Sequence, residues 1–194
     1  LIYSQDKSMV LGFSPDGQWL SFLEYFRAGD DERVGIVHIN SKTKHYFFSS
    51  SKLVWSPDMR SVVQGGPHKL PRGGGKFFIE DALLFMGLET AKPELVYPIE
   101  WASYYTPLAF SPDGSKLLFA ASYTSPKLRQ DLFLLDVEAK KTKPLIRGEE
   151  GVLLGPLGDS GSYFFKSDTE LLMAKENLKE KAIEISVINI ETGS

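Results

Sequence analysis

The side chains of this 194-residue chain whose types do covalent or metal chemistry do not fall into the groupings that such chemistry needs. The three histidines, His38, His45 and His68, stand at spacings that match no tetrahedral metal site. With no cysteine, the chain has no thiolate ligand, cysteine nucleophile or disulfide. Gly158-Asp159-Ser160-Gly161 spells a serine-nucleophile motif. Such a serine needs a paired histidine and a buried carboxylate held in a fixed geometry, and the motif falls in a connecting segment, so it reads as a chance match. The carboxylate runs Asp30-Asp31-Glu32 and Glu149-Glu150 read as solvated loop charge. No glycine-rich phosphate fingerprint follows a strand. The expectation is a protein that is not an enzyme, with no cofactor and no metal.

Two groups of residues suit binding instead. Trp101, Tyr104 and Tyr105 crowd one connection, and exposed aromatics of this kind anchor peptide or protein partners. The competing structural reading has Tyr105 opening an inner strand and Trp101 covering the edge of the core. The second group is His68, Lys69, Arg72 and Lys76 around Gly73-Gly74-Gly75, where backbone amides and cations could hold a carboxylate or phosphate. Its spacing is not that of a phosphate loop, because Lys76 is followed by Phe77 and no helix is expected, so a solvated loop competes with it.

The elements that must position these residues are set by an internal repeat. Phe13-Ser14-Pro15-Asp16-Gly17 recurs as Phe110-Ser111-Pro112-Asp113-Gly114, in worn form as Trp55-Ser56-Pro57-Asp58-Met59, and more worn as Phe165-Lys166-Ser167-Asp168-Thr169. The aromatics are spaced by 42, 55 and 55 residues. In the turn, proline presets φ, Ser and Asp bond nearby amides, and glycine supplies the left-handed conformation. Its role is therefore structural. An apolar second strand follows each turn, as in Leu117–Ala120. Third strands read at Val34–Ile39, Ala82–Leu88, Asp131–Val137 and Ile183–Ile190, which places His38 in a buried strand. Fourth strands read at His45–Phe48, Leu95–Tyr97 and Pro144–Ile146. Each unit is thus a four-stranded antiparallel meander. Runs such as Leu132-Phe133-Leu134-Leu135 lack the alternation of a sheet with one wet face, so both faces are expected to be buried by stacking.

The predicted fold is an all-β propeller of four blades, spanning about residues 9–48, 52–98, 105–147 and 162–190 plus 1–5 in a single domain or propeller segment. The last unit stops after its third strand, and Leu1–Ser4 is expected to complete it, in its own chain or a neighbour's, removing an exposed edge. Phe-Ser-Pro-Asp-Gly before an apolar strand resembles the WD-type repeat of TolB-like proteins, also found in prolyl-oligopeptidase-type propellers. That resemblance covers the whole chain. It implies a fold usually of six or more blades, and on its own account a periplasmic or extracellular setting. Four blades therefore imply an unusually small ring, two chains in one ring, or a segment of a larger one, with apolar flanks that favour a homo-oligomer.

One rim of such a propeller carries short, uniform turns. The other carries the second-turn segments Arg27–Arg33, Gly65–Lys76, Ser122–Gln130 and Lys175–Lys181 and the connections Ile99–Thr106 and Arg147–Ser162. Varied loops on a rigid scaffold are where binding resides, so both aromatic and basic groups are assigned to this rim. The leading expectation is a non-catalytic scaffold that binds a protein or peptide. A substrate-gating propeller of a prolyl-oligopeptidase-type serine peptidase and a carbohydrate-binding propeller are the alternatives. A net charge of −3 with scattered Lys and Arg suggests no nucleic-acid partner, and no apolar run is long enough to insert in a membrane as a helix.

Overall fold

A computed structural model describes residues 8–25, 32–47, 53–71, 77–90, 92–96, 99, 102–124, 129–148, 163–177 and 182–192. These residues form strands and turns with no helix. Sheet I contains β1 (Ser8–Phe13), β2 (Trp19–Tyr25), β3 (Glu32–His38) and β4 (Lys44–Phe47), in that spatial order. Sheet II contains β5 (Leu53–Trp55), β6 (Ser61–Pro71), β7 (Phe77–Gly87) and β8 (Pro93–Val96). Sheet III contains β9 (Tyr104–Phe110), β10 (Lys116–Tyr123), β11 (Arg129–Asp136) and β12 (Lys141–Ile146). Sheet IV contains β13 (Tyr163–Phe165), β14 (Glu170–Asn177) and β15 (Ala182–Asn189), three strands among the described residues. Every pairing is antiparallel, so each sheet is a meander. Leu1–Ser4, the segment expected to complete sheet IV, lies outside the described residues.

The turns that start each sheet are held as their residue types dictate. In the third repeat Ser111 Oγ donates to Asp113 Oδ1 at 2.6 Å and accepts the Lys116 amide at 2.9 Å. Asp113 in turn accepts the Ser115 amide at 3.0 Å, and Gly114 takes φ 75°. The first and second repeats repeat these bonds through Ser14–Asp16 and Ser56–Asp58. Met59 adopts φ 57° where the other two have glycine, a conformation that costs a residue bearing a Cβ. In the fourth repeat Lys166 replaces the first serine, and the turn closes differently: Ser167 Oγ accepts the Glu170 amide. Asp168 is freed from its own turn and accepts the Asp113 amide of the neighbouring sheet at 2.9 Å.

Consecutive sheets stack, I on II, II on III and III on IV, with one apolar cluster at each junction. Trp19, Val34 and Phe47 of sheet I meet Val62 and Met86 of sheet II. Val63, Leu83 and Phe85 meet Tyr105, Leu117 and Phe119 at the next junction. Leu118, Leu132 and Leu134 meet Phe165, Leu171 and Ile188 at the third. Sheets II and III are therefore buried on both faces, which explains their unbroken apolar strands. His45, buried at the first junction, stacks on Trp19 at 5.6 Å between centroids and bonds the Leu88 carbonyl at 3.2 Å.

The strands reach into the segments assigned as loops: β3 begins at Glu32, β9 at Tyr104 and β11 at Arg129, and β10 runs to Tyr123. Gly65–Lys76 is not a loop throughout: β6 continues to Pro71 and pairs with β7 from Ser61↔Gly87 to Pro71↔Phe77. The apolar Phe77-Phe78-Ile79 run lies opposite it and continues the ladder, through Gly66 at φ 115°. Likewise β14 runs through Lys175 to Asn177. His38 is half-buried at the end of β3 rather than within the core, because its Nδ1 accepts the Ser41 amide of the following turn at 3.1 Å.

Candidate functional site

The strand ends of sheets II and III place the described members of the two predicted groups, Tyr104 and Tyr105 on β9 and His68 and Lys69 on β6, on strands that pack together. β9 opens with Tyr104 and Tyr105, and it packs against β6 and β7. The backbones approach closely there. A Cβ on Gly65 would lie 2.1 Å from the Tyr105 carbonyl oxygen and 2.8 Å from Pro107 Cδ, so only glycine fits. By repeat register, β6 passes the end of β10 by three residues, Lys69 to Pro71. At roughly 3.3 Å per residue, β6 is about 10 Å longer than β10 at this end.

Tyr104 and Tyr105 point to opposite faces, as successive strand residues must. Tyr105 is 2% exposed and belongs to the core. Its hydroxyl donates to the Ile99 carbonyl and its ring lies 6.2 Å from that of Phe119. It cannot present an aromatic face to a partner, and its place in the site is that of a support. Tyr104, in contrast, is exposed. His68 and Lys69 lie in β6 opposite Glu80 and Ile79. Trp101, Arg72 and Lys76 lie outside the described residues, as does Gly158–Gly161.

A residue that sequence reasoning missed joins them. Asp81 of β7 lies opposite Pro67, and its Oδ1 is buried with no hydrogen-bond partner among the described residues. Burial raises its pKa above the ordinary aspartate value. Burial also raises the pKa values of Tyr104 and Tyr105, and the nearby Asp81 charge adds to both shifts. The only sequence signal for Asp81 was an acid followed by the buried run Ala82–Met86 within a predicted strand.

A second acid on the same rim is fully engaged. Asp131 pairs with Arg129 at 3.1 Å and accepts the Gly148 amide at 2.9 Å, while the Arg129 guanidinium sits 4.7 Å from the Tyr123 ring centroid. Ser103 and Thr124 hydroxyls bond across the mouth of sheet III at 3.0 Å. The two acids thus differ in kind. Asp131 is neutralised within the protein, and Asp81 holds an unsatisfied acceptor beside an exposed tyrosine. A cationic or N–H-rich group is the kind of partner that would satisfy such an oxygen. Among the described residues no group of three His, Asp or Glu side chains is placed to hold a metal ion.

No protein-family model matches the chain, and no curated protein matches its sequence. Solved structures do match in shape. TolB from Acinetobacter baumannii matches with TM-score 0.53 and 13% identity over all of this chain and 43% of that one. The β-propeller domain of the Trilobed protease from Pyrococcus furiosus matches with TM-score 0.54 and 11% identity over 93% of this chain and 54% of that one. Prolyl oligopeptidase B from Galerina marginata matches with TM-score 0.57 and 12% identity, over 95% of this chain and 27% of that one. The chain thus spans about half, or less, of each protein it matches. At these identities the likeness is one of fold, and the fold is the β-propeller found in TolB and in prolyl-oligopeptidase-type proteins.

Proposed function

We propose that this chain is a non-catalytic β-propeller scaffold that binds a protein or peptide partner on the rim formed by second turns and inter-sheet connections. The anchoring point is the junction of sheets II and III, where Tyr104 offers an aromatic surface and Asp81 an acceptor. The partner feature that fits is a basic side chain or free amine on an extended peptide. The observation that carries this reading is the buried, unpartnered Oδ1 of Asp81 beside exposed Tyr104. Such an acceptor costs stability unless something fills it, and groups with perturbed titration cluster where proteins bind or react. The longer strands β6 and β7 supply a wall for an incoming peptide.

The test is capture by immobilised peptides of fixed length that carry Lys, Arg, neutral or acidic residues at one position, with free or acetylated amino ends. Basic or free-amine peptides should retain the wild-type chain, and Tyr104→Ala should lower retention several-fold with an unchanged melting temperature. Equal retention on acidic and basic peptides, or a Tyr104→Ala protein that binds as the wild type does, would contradict the site.

A further inference from the structure

The two strands that flank β7 serve it unequally. β6 pairs with it along its whole length, from Gly87 to Phe77, without a shift in register. β8 pairs only with Leu83 to Met86. Residues 77–81 thus have a strand on one side and none on the other among the described residues. The sequence accounts for the early end of β8. Its register would set Pro98 opposite Asp81, and proline brings no N–H to a ladder. Ile99 already packs at the junction with sheet III, where its carbonyl accepts the Tyr105 hydroxyl.

Two prolines fix which way the backbone groups of this ladder point. In an antiparallel pair, residues alternately bond their partner and face away from it. Pro67 and Pro71 of β6 have no N–H, so an unbroken ladder sets them at the positions that face away from β7. Pro93 of β8, opposite Met86, fits the same phase. Asp81 and Phe77, opposite the two prolines, and Ile79 between them therefore turn N–H and C=O away from β6, toward the side where β8 has ended. The other edge of the β6–β7 pair presents the prolines and is closed to strand addition. Of the two edges, only that of β7 offers donors and acceptors in regular alternation.

We propose that an extended peptide adds to sheet II as a further antiparallel strand along residues 77–81, in line with β8, with a lysine or arginine opposite Asp81. The mode rests on the rim site proposed above: main-chain bonds hold the peptide, and Asp81 selects one basic residue. Asp81 lies on the same face of β7 as Leu83 and Phe85, which pack at the junction with sheet III, and its Oδ1 is buried with no partner among the described residues. A residue paired with Asp81 on an added strand stands on this face too, with its Cβ about 5 Å away. An amine or guanidinium there reaches the carboxylate, whereas an acidic side chain is repelled by it. A peptide is the occupant because a lone amine would leave the alternating main-chain groups of the edge unused.

The test is fluorescence polarisation with a short dye-labelled peptide of alternating threonine and valine, with lysine at its centre and both ends blocked. A glutamate version and a scan of single backbone N-methyl groups are measured on the wild-type chain, and the parent peptide also on Ile79→Pro. Strand addition predicts that a methyl group on every second amide, the lysine's included, weakens binding about tenfold, while those between are tolerated. Ile79→Pro removes an N–H that β6 does not use, so it should keep the wild-type circular dichroism and bind about tenfold more weakly. Should that variant misfold, the methyl scan alone decides. Lysine-dependent binding without alternation in the scan, or a folded Ile79→Pro that binds as the wild type does, would overturn strand addition and leave the rim site standing. No binding, or equal affinity for the lysine and glutamate peptides, would overturn both.

Discussion

At the scale of single residues, the repeated turn shows how composition becomes geometry. Ser111 is fully buried, and its hydroxyl serves both Asp113 and the Lys116 amide. Ser111→Ala should cost about 1–2 kcal/mol in denaturant unfolding, since it leaves a buried amide without its partner. Asp113 shows the same network electrostatically. Its hydrogen bond from Ser111, and then that from the Ser115 amide, lower its pKa from 3.8 to about 2. A depressed carboxylate contributes stability that is fully present above its unfolded value and is lost as pH falls through the folded one. The stability gap between wild type and Asp113→Ala should therefore be constant at neutral pH and shrink between about pH 4 and pH 2, as measured by melting against pH. A gap independent of pH would mean that the charge on Asp113 is not what holds the turn. The serine and aspartate roles were legible from the motif. The reassignment of Asp168 to a neighbouring sheet was not, because the motif gives each turn's internal bonds and says nothing of how turns abut.

At the scale of elements, strand existence was readable because apolar runs punctuated by Ser-Pro-Asp-Gly leave few alternatives. Strand ends were less so. Gly65, Gly66 and Pro67 look like loop residues, yet β6 continues through them because pairing with β7 is sustained to Phe77. Gly65 is there for proximity rather than for flexibility, since the Tyr105 carbonyl occupies the space a side chain would need. Gly65→Ala should drive sheets II and III apart, lower the melting temperature by several degrees and disturb Tyr104, whose strand forms the other side of the contact. An alanine variant with wild-type stability would show that the two backbones do not approach this closely. The site was half legible for a related reason. The sequence displays Tyr104 and Tyr105 as neighbours, but strand alternation sends Tyr105 into the core and leaves Tyr104 as the exposed ring. Asp81 left only a faint signal because its significance comes from a strand of another sheet.

At the scale of the whole molecule, stability comes from three stacked junctions, and the rim lies beyond them. The scaffold can therefore carry a residue that works against folding. Asp81 is such a residue. Its raised pKa means that ionisation disfavours the folded state, so any stabilising effect of its neutral form is fully present below the unfolded value and is lost as pH rises through the folded one. The four-blade stack followed from the repeat, whereas the open edge of β7 became visible only once each strand had a register.

The most direct test of a rim-binding scaffold is a paired measurement on Asp81→Asn at neutral pH: its melting temperature, and its calorimetric affinity for a lysine-bearing peptide that the wild type retains. The predicted result is a melting temperature equal to or above that of the wild type, together with at least a tenfold loss of affinity. Unchanged affinity would contradict the assignment of the junction between sheets II and III as the binding site.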